Sequence, residues 1–234
     1  MGRNQSQKVV RSHENDAWVL IPLYNEGPVI REVITSLLTH FSHVLCVDDG
    51  STDESASEAR GTGAVVLRHP INLGQGAALQ TGFDYITANT DATHVITFDA
   101  DGQHRVADAI EMLELARRKK LSVVFGSRFL DKQTKPGLRK KVVLKGAILL
   151  TRALTGLRLT DAHNGLRVLR VDVLGRIRLR QNGMSHATEI VQQLARAKVS
   201  WIEYPVKVLY TDYSKAKGQS LWNSVNILID LLVR

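Results

Sequence analysis

Two carboxylates one residue apart, Asp99 and Asp101, stand at the end of the apolar run His94-Val95-Ile96-Thr97-Phe98. A short run of this β-branched and aromatic content predicts a buried strand. In an open parallel sheet, ligands bind just beyond the carboxyl ends of the strands. Two hard oxygen donors there suit Mg²⁺ or Mn²⁺ carrying substrate phosphates, because Mg²⁺ takes one or two carboxylates and completes its octahedron with phosphate oxygens and water. Gln103 adds a neutral oxygen two residues further on. The competing interpretation is a polar turn whose aspartates cap a helix starting near Arg105. Asp-x-Asp alone does not choose between the two, so the elements around it must.

Those elements alternate. Trp18-Val19-Leu20-Ile21-Pro22 predicts a first strand, and Pro28 opens a helix to about Phe41 with Val29, Ile30, Val33, Ile34, Leu37 and Leu38 on one face. His43 to Val47 is a second strand ending in Asp48-Asp49-Gly50-Ser51-Thr52-Asp53, followed by a short helix from Glu54 and a third strand, Ala64 to Leu67. A helix from Ala77 to about Ala88 precedes the fourth strand, which ends at Asp99. Beyond it come a helix from Arg105 to Lys120 and a fifth strand, Ser122 to Phe125, running into Gly126-Ser127-Arg128. Strand–helix alternation with short connections predicts right-handed βαβ units and an α/β fold, a mostly parallel central sheet with helices on both faces. Acidic or glycine-rich clusters follow strands two, three and four, which places them on one rim of the sheet. That regularity favours the metal reading over scattered capping.

The second half is less regular. Six basic residues and no acidic one lie between Lys132 and Lys145, and an apolar helix-like segment, Val142 to Leu154, overlaps and follows them. Asp161-Ala162-His163-Asn164-Gly165 is a polar loop before a strand from Leu166 to Leu169. A helix near Ser185 to Lys198 carries Glu189, a strand spans Val199 to Tyr210, and an amphipathic helix, Leu221 to Val233, closes the chain. With no repeat and no linker, the expected organisation is a polar tail over residues 1–16, one domain over 17–220 and the terminal helix over 221–234.

Composition narrows the partners. A net charge of +8 over 234 residues calls for an anionic one. Aromatics are sparse and not interleaved with the basic run, which argues against nucleic acid. The single cysteine, Cys46, lies in an apolar strand and permits no internal disulfide, as in a reducing compartment. The histidines show no spacing with a cysteine pair that would hold zinc. No apolar run approaches the ~20 residues of a transmembrane helix, and no apolar leader is visible. The expectation is a cytoplasmic protein, or one lying on the cytoplasmic face of a membrane.

Several residues have two readings. Gly74-x-Gly76 fails as a dinucleotide fingerprint, since Leu79 holds the third glycine position and the loop follows strand three rather than strand one. A tight turn with close backbone approach suits these glycines better, although Gly76 is also carried among the substrate-binding residues. Asp48 and Asp49 cap a turn, or accept from a base N–H or ribose hydroxyls, and Asp53 is a candidate N-cap. Arg128 is a surface salt-bridge partner or a bidentate clamp on a diphosphate.

Together the motifs resemble a known family. Ile21-Pro22-x-Tyr24-Asn25-Glu26, Val47-Asp48-Asp49-Gly50-Ser51-Thr52-Asp53, Asp99-Ala100-Asp101-Gly102-Gln103-His104 and Gly126-Ser127-Arg128 are similar, in order and spacing, to family-two glycosyltransferases of GT-A fold. The branch most resembled contains dolichol-phosphate and polyprenyl-phosphate sugar transferases. The resemblance covers about Val19 to Ser220 and is densest before Arg128. It implies that Pro22, Tyr24 and Glu26 lie along the nucleotide base, with Val47 and Asp49 recognising base or ribose. It also implies that Asp99, Asp101 and Gln103 hold a divalent metal on the diphosphate of a nucleoside-diphosphate sugar, with Ala100 between them on the donor. Arg128 approaches phosphates or acceptor, and Asp161 and Gly165 match an Asp-x-x-x-Gly segment near the acceptor side. Lys217-Gly218-Gln219-Ser220 resembles a stretch that closes over the diphosphate, but relatives more often offer arginine followed by Gly-x-Ser-Lys, so either Lys215 or Lys217 replaces that charge, with Lys217 the expected substrate-binding residue.

The implied chemistry is inverting sugar transfer, with a metal and a cation stabilising the departing nucleoside diphosphate. Asp101, Arg128 and Asp161 are the expected catalytic residues. A polyprenyl-phosphate acceptor is already an anion and needs no base, whereas a glycan or soluble sugar hydroxyl needs a carboxylate, for which Asp161 and Glu189 are the candidates. The basic tract and the terminal helix suit peripheral contact with an anionic membrane. Their alternative use is as core or homodimer contacts. A non-catalytic nucleotide-sugar-binding module is the competing function.

Overall fold

The computed structural model describes residues 16–130, 156–183 and 185–209, together with 146, 149 and 152–153. The polar tail before Asp16, the basic tract, Lys217 with its neighbours and the terminal helix lie outside the described residues. Of the Val142–Leu154 segment, the four described positions are helical and exposed.

Seven strands form one sheet: β1 (Ala17–Leu23), β2 (His43–Asp48), β3 (Val65–Arg68), β4 (His94–Thr97), β5 (Val123–Ser127), β6 (Arg167–Arg170) and β7 (Trp201–Pro205). Their spatial order is β3-β2-β1-β4-β6-β5-β7. The helices lying wholly within the described residues are α1 (Gly27–Leu38), α2 (Ser55–Arg60), α3 (Gln75–Asn89), α4 (Val106–Lys119), α5 (Val171–Leu174) and α6 (His186–Arg196). The βαβ reading of the first half holds, with β1 pairing parallel to β2 on one side and to β4 on the other. The chain therefore reverses its direction of winding between β1 and β4, the switch point at which open α/β sheets bind ligands in a crevice beyond the strands' carboxyl ends.

Strand alternation builds two cores. Val19, Ile21 and Leu23 of β1, with Val44 and Cys46 of β2 and Ile96 of β4, pack under α1, α2 and α4. Leu20, Leu45, Val47 and Val95 point to the other face and pack under α3, α5 and α6. Burial on both faces is what makes these strands near-continuous apolar runs in sequence. At one point the second layer comes very close: a Cβ at Gly82 of α3 would overlap the Leu20 side chain. Gly82→Ala should therefore destabilise the fold by about 1–3 kcal/mol through overpacking, although alanine is the better helix former by about 1 kcal/mol. Urea unfolding checks this, and a stabilised variant would mean that Leu20 turns aside freely.

The second half departs from pure βαβ winding. β6 enters between β4 and β5, antiparallel to both, while β7 adds parallel to β5 at the edge. The predicted strand from Val199 to Tyr210 is shorter than expected, with Val208 surviving as an isolated bridge to His104. An antiparallel strand starts at the rim where its neighbours end. The Asp161–Gly165 loop, which leads into β6, is thereby delivered to the same rim as Asp99 and Arg128.

Candidate active site

The rim is assembled from the ends of the parallel strands β1 to β5 and the start of the antiparallel β6. After β1, the Tyr24–Glu26 turn is stitched to the loop after β2: the Asn25 amide donates to Ser51 Oγ at 2.9 Å, the Glu26 amide to Ser55 Oγ at 2.7 Å and the Gly27 amide to Asp53 Oδ2 at 3.0 Å. Asn25 takes a left-handed φ of 52° in that turn. Asp53 thus joins the start of α1 to Ser55, whose amide it also accepts at 2.9 Å. Tyr24 is exposed in the crevice wall.

Asp49 is buried and heavily used. Oδ1 accepts from His69 Nδ1 at 2.7 Å and from the Leu73 amide at 2.9 Å, and Oδ2 accepts from the Gly74 amide at 2.7 Å. Asp49 thereby anchors the His69–Gly74 loop. The Val47 side chain is fully buried in the core under α3. Pro22, paired with Val47, is half-buried. Gly76 donates its amide to the Asn182 carbonyl at 3.0 Å, and a Cβ there would collide with the Gln181 carbonyl. Close backbone approach accounts for the glycine at position 76.

Asp99 and Asp101 do meet at the crevice. The Asp101 Oδ1 accepts the Gln103 amide at 3.0 Å across a turn in which Gly102 has φ 73°. Burial and the nearby Asp99 charge raise the Asp101 carboxyl above the usual carboxylate range, against the Gln103 amide, and Glu26 adds to the repulsion. Asp99 Oδ2 accepts from His104 Nε2 at 2.8 Å, and the side-chain Nε2 of Gln75 approaches Oδ1 at 3.4 Å. Burial alone would raise Asp99, but His104, with Arg167 and His186 behind it, brings it below the ordinary value. Behind Asp99 lies the backbone of Gly165, so close that a Cβ there would overlap the carboxylate. The Gly165 carbonyl is itself fastened by Thr97 Oγ1 at 2.6 Å.

The donor set fits a divalent cation that brings its own ligands. Among the described residues no group of three histidine, cysteine, aspartate or glutamate side chains forms a metal cage. What is present is a pair of mutually repelling carboxylates, one of them oriented by a histidine. A cation would relieve that repulsion, with phosphate oxygens and water completing the shell. Ala100 between them is buried in the core, and Gln103 is tied through its carbonyl to the Leu209 amide at 2.9 Å.

The acceptor-side residues are arranged otherwise than expected. Arg128 grips Asp161 with Nε to Oδ2 at 2.7 Å, Nη2 to Oδ1 at 2.8 Å and its own amide to Oδ2 at 3.1 Å. The salt-bridge reading of Arg128 is the one observed, although its side chain remains 43% exposed. Burial pushes Asp161 up, but the Arg128 bonds and charge outweigh it and leave the carboxyl below its ordinary value. A carboxylate so held is a poor proton acceptor. Glu189, the other candidate base, accepts the Arg180 and Gln181 amides, at 2.9 and 2.8 Å, and Gln193 Nε2 at 3.0 Å. It shapes the loop on which Gly74 and Gly76 pack.

Sequence reasoning missed four side chains here. His104 stands in the quoted motif but received no role. Gln75 opens α3, where only the glycines drew notice. Glu203 of β7 accepts the Thr160 amide at 2.7 Å and the Asp161 amide at 3.2 Å, fixing the loop from the edge strand. Arg167 is buried in the middle of the sheet. Its signal was readable: a cation inside a strand covered on both faces must be compensated by nearby acids.

A crevice at the switch point of such a sheet, lined by an acidic pair after β4, belongs to nucleotide-sugar transferases of GT-A fold. Residues 18–178 match the family described as Glycosyl transferase family 2, and the chain belongs to that family. It is 29% identical, over 92% of its length and 94% of the relative's, to the UDP-N-acetylglucosamine–dolichyl-phosphate N-acetylglucosaminyltransferase of Methanococcus voltae. It is 27% identical to an uncharacterized protein of Methanocaldococcus jannaschii, over 99% of this chain and 97% of that one. Among solved structures, glucosyl-3-phosphoglycerate synthase of Mycobacterium tuberculosis with Mn²⁺, UDP-glucose and phosphoglyceric acid superposes with a TM-score of 0.64 at 16% identity, covering 90% of this chain and 78% of that one. Mannosyl-3-phosphoglycerate synthase of Rubrobacter xylanophilus does so at 0.65 and 14%, covering 96% and 76%.

Proposed function

We propose that the chain transfers a sugar, with inversion, from a nucleoside-diphosphate sugar to an acceptor that is itself a phosphate, of the polyprenyl-phosphate class. The observation that carries this is the division of labour among the carboxylates. Asp99 and Asp101 are grouped at the donor crevice, whereas Asp161 and Glu189, the candidate bases, are both committed to hydrogen bonds within the chain. A hydroxyl acceptor needs its proton taken, and a phosphate does not. The relative from Methanococcus voltae, named for a dolichyl-phosphate substrate, points the same way.

In this reading Asp101 and Asp99, with Gln103, would hold Mg²⁺ or Mn²⁺, and the cation would supply positive charge against the departing diphosphate. The chain's own residues do the rest. His104 keeps the Asp99 carboxylate turned into the crevice. The stitched Tyr24–Glu26 turn forms the wall along which a base lies. Arg128, tied to Asp161 yet exposed on its outer side, presents positive charge toward an incoming anion. Among the described residues no helix is long and apolar enough to cross a membrane. The basic Lys132–Lys145 tract supplies charge that anionic headgroups attract.

Thermal melting with UDP and GDP, each with and without Mn²⁺, tests the donor half. A diphosphate at 100 times its Kd should add ~2.7 kcal/mol, roughly 5–10 °C for a chain of this size. Asp101→Asn should lose the Mn²⁺-dependent part. Turnover assays with polyprenyl phosphate and with soluble sugars then test the acceptor half. Transfer to the soluble hydroxyls alone overturns the acceptor assignment, and nucleotide binding without any turnover identifies a binding module instead.

A further inference from the structure

Arg167 is the largest of the fully buried side chains among the described residues. It opens β6, opposite Thr97 of β4 on one side and Phe125 of β5 on the other. Its Nη2 donates to the Ala162 carbonyl at 3.2 Å, which places the guanidinium beneath the Asp161–Gly165 loop, and its Nε has no hydrogen-bond partner. The two ends of that loop are the two sensitive contacts of the site: Asp161 in the grip of Arg128, and Gly165 against the Asp99 carboxylate. A guanidinium this deep must be compensated by charge, since an isolated buried cation is strongly unfavourable.

We propose that Arg167 is a positioning residue, one buried cation that holds Asp99 on the donor side and Asp161 on the acceptor side in register from beneath. Burial lowers the guanidinium to about 10, and the groups opposing that fall are Asp99 and Asp161, in that order. The cation stays charged at neutral pH and needs no proton to act. Thr97, opposite Arg167 across the β4–β6 ladder, also fixes the Gly165 carbonyl, so the same strand pairing sets the loop's backbone and the charge under it. The inference deepens the proposed function and rests on it for the roles of donor and acceptor side.

Urea unfolding in chelator, without nucleotide, tests the charge coupling itself. R167M should be strongly destabilised, and its effect on the unfolding equilibrium should shrink by about tenfold or more when combined with D99N or with D161N. R167K, which keeps the charge, should recover most of the loss. A role in packing alone predicts additivity in both pairs and no rescue by lysine, and that result overturns the proposal. If R167M does not fold by itself, cooperative unfolding regained in R167M/D99N or R167M/D161N is the expected outcome, and failure of both pairs to fold overturns it. None of these arms contains metal or nucleotide. Wild-type melting with UDP and Mn²⁺ reports on the donor reading separately, so the two can fail independently.

Discussion

Replacing Gly165 with alanine is expected to lower kcat/KM for sugar transfer by about 100-fold while leaving a folded protein. The reason is steric. The backbone at Gly165 has no left-handed φ, so alanine brings no conformational strain of its own. Its Cβ, however, would overlap the Asp99 carboxylate. The loop cannot retreat easily, because the Gly165 carbonyl is held by Thr97 and Asn164 Oδ1 accepts the Leu166 amide at 2.9 Å. The carboxylate must therefore swing, breaking its 2.8 Å contact with His104. A displacement near 1 Å in a reacting constellation costs on the order of 10²-fold, and the overpacking should cost about 1–3 kcal/mol of stability. Steady-state kinetics beside thermal melting checks both. Unchanged kinetics in a folded Gly165→Ala would show that Asp99 can leave its place without consequence, and that its placement is not part of the site.

Asp161→Asn should destabilise the protein by about 2–3 kcal/mol. Removing one partner of a buried ion pair costs about 3–5 kcal/mol, and the exposure of Arg128 lowers this, because the orphaned guanidinium can be rehydrated. That corresponds to roughly 5–10 °C in Tm for a chain of this length. The pH dependence has a definite sign. Asp161 is held below its ordinary pKa in the folded state, so its contribution is complete above the unfolded carboxylate value of about 3.9 and disappears as pH falls through the lower folded value. The asparagine variant has no such proton to take up. The stability gap between wild type and variant should stay constant from about pH 5 upward and narrow on acidification. A gap that widens in acid would mean that the Asp161 carboxylate is strained rather than stabilised by its partners.

The first 128 residues were largely legible because each local rule agreed with the fold. The β1, β2, β4 and β5 runs are continuous and apolar because both faces of the sheet are covered there, as Val19 and Leu20 show by entering opposite cores. Pro28 in the first turn of α1 and the acidic turns after β2 and β4 marked the ends of elements and hence the rim. What local pattern does not encode is strand order. Leu166 to Leu169 reads as a strand of either direction, and only the pairing of Arg167 with both Thr97 and Phe125 shows that it runs antiparallel between β4 and β5.

That single topological fact decides the acceptor side. Residue types and spacing sufficed to bring Asp99 and Asp101 to a crevice and to identify the family, because a carboxylate pair after a buried strand keeps its place whatever the far half of the sheet does. They could not say that Asp161 would be taken by Arg128, that Glu189 would be spent on the amides of Arg180 and Gln181, or that Gly165 would lie against Asp99. Those contacts join residues 33 to 66 positions apart, or fold a loop whose course follows from its neighbours, so they exist only once the strand between β4 and β5 has been inserted. The charges were legible from the order of amino acids; which charge neutralises which was settled by how the sheet is wound.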